Sequence, residues 1–77
     1  MEEDLVEFMA QSLVVDVDKV DVTAIEGDKT TILELKVAEK DIGKVIGKHG
    51  RIVKAMRSIL SATASSSKKR LVLEILI

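Results

Sequence analysis

The sequence contains no cysteine, no proline and, in 77 residues, only one aromatic residue, Phe8. Without cysteine the chain can form neither a disulfide nor a thiol nucleophile, and the usual soft ligands of structural zinc are missing. With a single histidine besides, the sequence gives no reason to expect a metal, a cofactor or an enzyme active site. The acidic N-terminus and the lack of a long apolar run predict a soluble cytoplasmic protein without a secretory signal or a membrane span.

Acidic and basic residues are concentrated in opposite halves of the chain. Residues 1–35 hold ten acidic and two basic residues, a net charge of −8, whereas residues 36–77 hold ten basic and three acidic residues, a net charge of +7. This asymmetry favours a polyanion-binding face on an otherwise acidic molecule. The asymmetry fits equally well with two halves whose charges neutralise each other across the fold, so charge alone does not decide between the two interpretations.

Glycine is also scarce, with four residues, and two of them bracket the pair Lys48-His49. Gly47 can end one helix in a left-handed conformation, and Gly50 can open the next, whose first amides have no internal partner and attract an anion. The absence of side chains at both ends lets a sugar–phosphate backbone lie directly on the loop. Basic residues fall on or beside it: Lys40, Lys44, Lys48, Arg51 and Lys54. We therefore expect this loop to receive the phosphate backbone of a nucleic acid.

Hydrophobic periodicity predicts the order helix, strand, strand, helix, helix, strand. The helices are expected over residues 2–13, 39–46 and 51–64, and the strands over residues 19–26, 30–37 and 70–77. Gly27-Asp28 suits an antiparallel hairpin, and the crossover through two helices allows the last strand to lie parallel to the second. The expected fold is therefore α+β, with three helices on one face of a three-stranded mixed sheet, in a single domain spanning residues 1–77.

The same periodicity predicts which side chains face the core. The first helix is expected to bury Leu5, Phe8, Met9 and Leu13. The helix after the loop is expected to bury Ile52, Ala55, Met56, Ile59 and Thr63. The sheet face without helices leaves Ile25, Ile32, Val72 and Leu76, which would suit a dimer or partner contact if they are contiguous.

Residues 45–52, Val-Ile-Gly-Lys-His-Gly-Arg-Ile, resemble the signature of the KH domain, whose GXXG loop clamps about four backbone nucleotides. The element order resembles the type II form of that domain. Over essentially its whole length the chain is similar to the small bacterial KhpA family. The resemblance implies a non-enzymatic RNA-binding or RNA-chaperone protein that binds single strands with low sequence specificity. It also implies a homodimer, or pairing with a larger KH protein of the KhpB/Jag type, and a link to cell shape or division.

The resemblance also assigns residues to a base-binding groove. Its floor would consist of Ile42, Gly43, Ile46 and Ile52. Lys48 and His49 would face the phosphates, and the far rim of the groove would carry Lys68, Lys69 and Arg70. The family often carries two basic residues at the centre of the loop, so histidine there implies a modest pH dependence of binding. Few aromatic rings are available to stack on bases, which implies weak binding helped by dimerisation or partner domains.

Three other classes of function compete with this interpretation. A helix-turn-helix binding duplex DNA would fit two helices and a turn, but the second helix begins Arg-Ile-Val-Lys, without Asn or Gln to read bases. A P-loop needs four residues between its glycines and a Ser or Thr after the lysine, and residues 43–49 have neither. A protein-interaction scaffold acting through a KH-type partner is disfavoured by the intact glycines and the basic residues around them, but stays open.

Overall fold

The computed structural model describes residues 2–64 and 69–77 and follows the predicted order of elements. The helices are α1 (Glu2–Gln11), α2 (Ile42–Ile46) and α3 (Arg51–Thr63), and the strands are β1 (Asp21–Glu26), β2 (Thr30–Lys36) and β3 (Arg70–Ile75). Short 3-10 turns cover Val17–Lys19, Glu39–Asp41 and Lys48–Gly50. Within the described ranges, no helix is long and apolar enough to cross a membrane.

The sheet has the order β1-β2-β3, with β2 in the centre. β1 runs antiparallel to β2, whereas β3 runs parallel to β2 because α2 and α3 carry the chain back to the same end of the sheet. Leu33 illustrates the register, since it lies opposite Ala24 in β1 and opposite Leu73 in β3. Both predicted pairings are therefore confirmed, and the fold is α+β with a mixed sheet.

The core lies between the helices and one face of the sheet. Alternation in β2 buries Thr31, Leu33 and Leu35 on the same face, as the strand pattern predicts. The apolar residues of the core are Val6, Ala10, Leu33, Leu35, Val37, Val45, Val53, Met56, Leu60 and Leu73.

The prediction of the buried helix faces is wrong at two places. Phe8 does not lie in the core and is 68% exposed; α1 buries Val6 and Ala10, while the predicted Leu5, Met9 and Leu13 are partly buried against the core. In α3 the buried residues are Val53, Met56 and Leu60, so of the predicted set only Met56 is buried and Ile59 is 46% exposed. Each helix carries more than one apolar stripe, and periodicity alone does not say which stripe meets the sheet.

On the helix-free face, three predicted apolar residues form a continuous row. Ile25 lies opposite Ile32, and Ile32 lies opposite Val72, so the row crosses all three strands. Leu76 follows β3 and does not belong to the row; its N–H donates to the carbonyl oxygen of Leu35. The next row on the same face places Glu34 directly opposite Glu74, and such a pair of like charges opposes strand pairing.

Candidate nucleic-acid interface

The 47–50 loop joins α2 to α3 through a backbone conformation that needs glycine at its first residue. Gly47 has φ of 77° and ψ of 170°, a region that is essentially restricted to glycine. A Cβ atom there would lie 2.5 Å from Cγ1 of Ile52. The Gly47 N–H donates to the Gly43 carbonyl oxygen at 2.9 Å and closes the last turn of α2. Gly47 is therefore required both by its dihedral angles and by the side chain packed beneath it.

The rest of the loop is a tight turn that stands out from the surface. His49 is the only non-glycine residue with positive φ in the described part of the chain, at 58°. Gly50 follows at φ of 71°, and its N–H donates to the Gly47 carbonyl oxygen at 3.1 Å. A left-handed residue between two glycines turns the Lys48 and His49 side chains outward, and both are exposed. The turn leads directly into α3, whose N-terminal end has no side-chain cap.

The predicted basic residues surround this turn along the chain. Lys40 lies in the turn before α2, Lys44 in α2, and Arg51 and Lys54 in the first turn of α3. All four side chains are exposed. A helix N-terminus carries partial positive charge, which adds to the charge of these cations on either side of the loop.

The predicted floor residues do not all line one depression. Ile42 lies in a depression with Val37 and Leu76, beside the end of β3. Gly43 is exposed, and a Cβ atom at Gly43 would have nothing within 4 Å. Ile46 is partly buried against the core. Ile52 packs under Gly47 and lines a different depression, on the α1 side of α3. Ile52 therefore supports the loop, while Ile42 and Gly43 are open to a ligand.

The predicted far rim lies at a cleft between α3 and β3. The α3–β3 cleft is lined by Arg57, Leu60, Ser61, Ala64 and residues 69–74. Lys69 pairs with Glu26 at 3.3 Å, and the exposed Arg70 begins β3. Lys68 lies outside the described residues. Arg57, which the sequence prediction left out, donates from its guanidinium to the Leu73 carbonyl oxygen at 3.2 Å and so joins α3 to the open edge of β3.

A buried carboxylate lies at the start of α2. Asp41 is 0% exposed. Its Oδ2 accepts the Asp16 N–H at 2.9 Å and its Oδ1 accepts the Val15 N–H at 3.2 Å. The Asp16 N–H holds the pKa of the Asp41 carboxyl below its usual range; the Val15 N–H, Lys44 and Lys40 act in the same direction, against burial. A single aspartate before a helix gives no sequence signal for such a contact.

An apolar cleft separates α1 from α3 on the outer side of the helix layer. The α1–α3 cleft is lined by Phe8, Met9, Ser12, Leu13, Arg51, Ile52, Ala55, Met56 and Ile59. Its lining includes two large apolar residues that are exposed to solvent, Phe8 and Ile59. Within the described ranges, no three His, Asp or Glu side chains are grouped so that they could hold a metal ion.

This α-β-β-α-α-β fold, with a glycine-bracketed loop between its second and third helices, defines a type II KH domain. A family model described as "KhpA/KhpB, KH domain" matches residues 3–75. The chain belongs to this family of KH-domain proteins.

Curated relatives have nearly the same length. The chain is 55% identical to the RNA-binding protein KhpA of Aquifex aeolicus over 73 residues, which cover 95% of this chain and 92% of the relative. It is 50% identical to the RNA-binding protein KhpA of Treponema pallidum over 76 residues, covering 99% and 95%. It is 49% identical to the protein of that name from Borreliella burgdorferi over 73 residues, covering 95% and 89%. No solved structure gives a significant match.

Proposed function

We propose that this protein binds single-stranded RNA, with the sugar–phosphate backbone held on the 47–50 loop and the bases lying along α2 toward β3. It acts as a binding protein and not as an enzyme. The observation that supports this most directly is the loop itself, in which Gly47 and Gly50 both take positive φ and the two side chains between them are exposed. The curated relatives are named RNA-binding proteins, and they match nearly the whole chain.

The loop can hold a phosphate without a change of shape. Gly47 and Gly50 present backbone with no Cβ atom, so a sugar–phosphate backbone can come close to the loop there. Lys48, Arg51 and Lys54 then add positive charge, and all three can move toward the ligand because they are exposed. Contacts of this kind recognise the backbone and carry little sequence information, so low specificity follows.

The bases need an open floor and a polar edge next to that loop. Gly43 offers an open floor, since space is empty above its Cα. β3 is an edge strand, and Arg57 already donates to its Leu73 carbonyl oxygen. An edge strand can exchange hydrogen bonds with the Watson–Crick edges of unpaired bases, whereas the bases of a duplex are already paired. These features favour a single strand over a duplex.

The experiment measures fluorescence anisotropy of a short labelled single-stranded RNA with the wild type and with Lys48→Asp/His49→Asp. Both side chains are exposed and Asp tolerates a left-handed backbone, so the fold should survive; circular dichroism checks it. We expect binding to fall by about tenfold or more, since negative charge replaces positive charge beside phosphate. The wild type should also lose affinity steeply with salt.

The matched control is Lys19→Asp/Lys29→Asp, which removes at least as much positive charge at exposed positions of the acidic half. It should bind RNA within about twofold of the wild type, because neither lysine belongs to the 47–50 loop or to the helices that flank it. Equal losses in the two double variants would mean that net charge, and not the loop, governs binding. Duplex DNA of the same length serves as the competitor, and tighter binding to the duplex would overturn the single-strand assignment.

We also propose that the protein forms a homodimer through the α1–α3 cleft, a surface that a larger KH protein of the KhpB type could occupy in its place. Phe8 is 68% exposed and Ile59 is 46% exposed, and they flank a cleft whose other side chains are mostly apolar. A monomer pays for such exposure in water, and a two-fold partner would cover both residues at once. The matched family includes KhpB as well as KhpA.

Light scattering after size exclusion tests the dimer with Ile59→Asp. Ile59 is not part of the core, so the variant should fold and elute as a monomer where the wild type elutes as a dimer. Ile25→Asp, at a residue 47% exposed on the opposite sheet face, is the matched control and should stay dimeric. A monomeric wild type, or monomers from both variants, would contradict the assignment of this cleft.

A further inference from the structure

The Asp41 carboxylate joins two parts of the chain that are distant in sequence. It accepts N–H groups from Val15 and Asp16, which follow α1 by a few residues, while Asp41 itself immediately precedes α2. The side chain is fully buried, and no buried side-chain N or O atom among the described residues lacks a hydrogen-bond partner. Burying a carboxylate costs free energy unless the carboxylate is hydrogen-bonded in this way, so the contact fixes both segments strongly.

α2 depends on such an anchor because it is too short to be stable alone. It has five residues, Ile42–Ile46, and only Val45 among them is fully buried. Isolated helices of that length do not persist in water. The Asp41 contact holds its first end, and the Gly47 backbone, packed over Ile52, holds its second. The position of α2 in turn sets where Gly43 and the 47–50 loop lie.

The negative charge of Asp41 opposes RNA binding. An effect of Asp41 through charge and an effect through positioning therefore predict opposite changes in affinity when Asp41 is replaced. Its Oδ1 lies 4.0 Å from Nζ of Lys44, one of the cations beside the loop. A carboxylate at that place draws the ammonium away from phosphate and adds local negative charge. If Asp41 mattered only through charge, its removal would therefore strengthen RNA binding.

We propose that Asp41 is a positioning residue for RNA binding: it clamps the α1–β1 connector to the start of α2 and thereby sets the geometry of Gly43, Lys44 and the 47–50 loop. This inference rests on the proposed function for its consequence in RNA binding. Its structural part, the link between the connector and the loop, is independent of any ligand.

The test compares Asp41→Asn with Asp18→Asn, an exposed aspartate whose substitution changes the net charge equally. Asparagine keeps the shape but supplies only one acceptor oxygen for the two N–H groups. We expect Asp41→Asn to bind the labelled RNA about threefold to tenfold more weakly despite its favourable charge, and Asp18→Asn to bind like the wild type. Affinity in Asp41→Asn that equals or exceeds that of the wild type would overturn the proposal.

Two further measurements separate this proposal from a general loss of stability. Asp16→Pro deletes one donor from the connector side, and it should weaken RNA binding in the same direction. Without RNA, the amide NMR signals of Gly47 and Gly50 should shift in Asp41→Asn and not in Asp18→Asn; unshifted loop signals would refute the positioning role. If the wild type binds no RNA, the proposed function fails, while the loop signals still decide whether Asp41 positions the loop.

Discussion

Gly43 offers a substitution whose effects on stability and on RNA binding should have opposite signs. In the free protein Gly43→Ala adds a methyl group that meets nothing within 4 Å, so no clash opposes it. Alanine loses less conformational entropy than glycine on entering a helix, which is worth about 0.5–1 kcal/mol. For a domain of this size that gain corresponds to a rise in Tm of roughly 2–8 °C.

In the complex the same methyl group should be in the way. The open space above Gly43 is the place that the proposed groove assigns to the RNA, and forcing a methyl group into a packed contact typically costs 1–3 kcal/mol. A cost of about 1.4 kcal/mol lies within that range and corresponds to about tenfold weaker binding. No charge changes, so the slope of log affinity against log salt should stay that of the wild type.

The assay combines thermal unfolding by circular dichroism with RNA anisotropy at several salt concentrations. A higher Tm together with unchanged affinity would refute the reasoning, because Gly43 would then lie outside the RNA contact. A lower Tm would show that the α2 backbone in the free protein is not the one described. The salt slope is the internal control, since a steric effect lowers affinity equally at each salt concentration.

Two further predictions concern stability. Gly47→Ala should be destabilised by more than about 2 kcal/mol in urea titrations, because it combines a glycine-only conformation with a Cβ atom 2.5 Å from Ile52. Gly50→Ala should lose only about 1–2 kcal/mol, since its Cβ atom would contact Val53 at an ordinary 3.9 Å; equal losses would contradict the packing. The lowered pKa of Asp41 means that its contribution is present above the unfolded-state value of 3.8 and is lost as pH falls through the folded-state value. The difference in urea midpoint between the wild type and Asp41→Asn should therefore shrink in acid, and a constant difference would contradict this.

The sheet could be predicted from the sequence because its signals are local and strong. Alternation in residues 30–36 identifies the buried face, and Gly27-Asp28 marks the hairpin. The parallel pairing of β3 follows from the crossover through two helices, a connection whose geometry is strongly constrained. Strand ends were the weaker part: the last strand was predicted to reach residue 77 and stops at Ile75.

Helix faces were harder because they depend on tertiary packing. Phe8 fits the predicted core stripe by its spacing, yet the residues that α1 buries fully are Val6 and Ala10. The buried contact of Asp41 could not be predicted from the sequence either. Its partners are the backbone N–H groups of Val15 and Asp16, and a backbone N–H group does not identify itself by residue type. Contacts between distant segments become visible only once both segments have been placed.

The loop was the most predictable part of the candidate site, since its backbone takes unusual angles that only a few residue types accept. Gly47 takes positive φ as expected, whereas the positive φ values of His49 and Gly50 were not predicted. The base-binding residues assigned by resemblance stay a prediction, as do the dimer and the expected link to cell shape. Ile52 in particular lies beneath the loop and toward α1, so its predicted place on the groove floor has the least support.

The parallel pairing of β2 with β3 has a consequence for the order of folding. The β1–β2 hairpin joins neighbouring segments and can form early, whereas β3 can pair with β2 only after the chain between them has been closed into a loop. That intervening chain contains α2, residues 47–50 and α3. The 47–50 loop is thus part of the segment whose closure completes the sheet. We expect that a folding intermediate with only the hairpin formed would have no affinity for RNA, and that the site would appear together with the last strand.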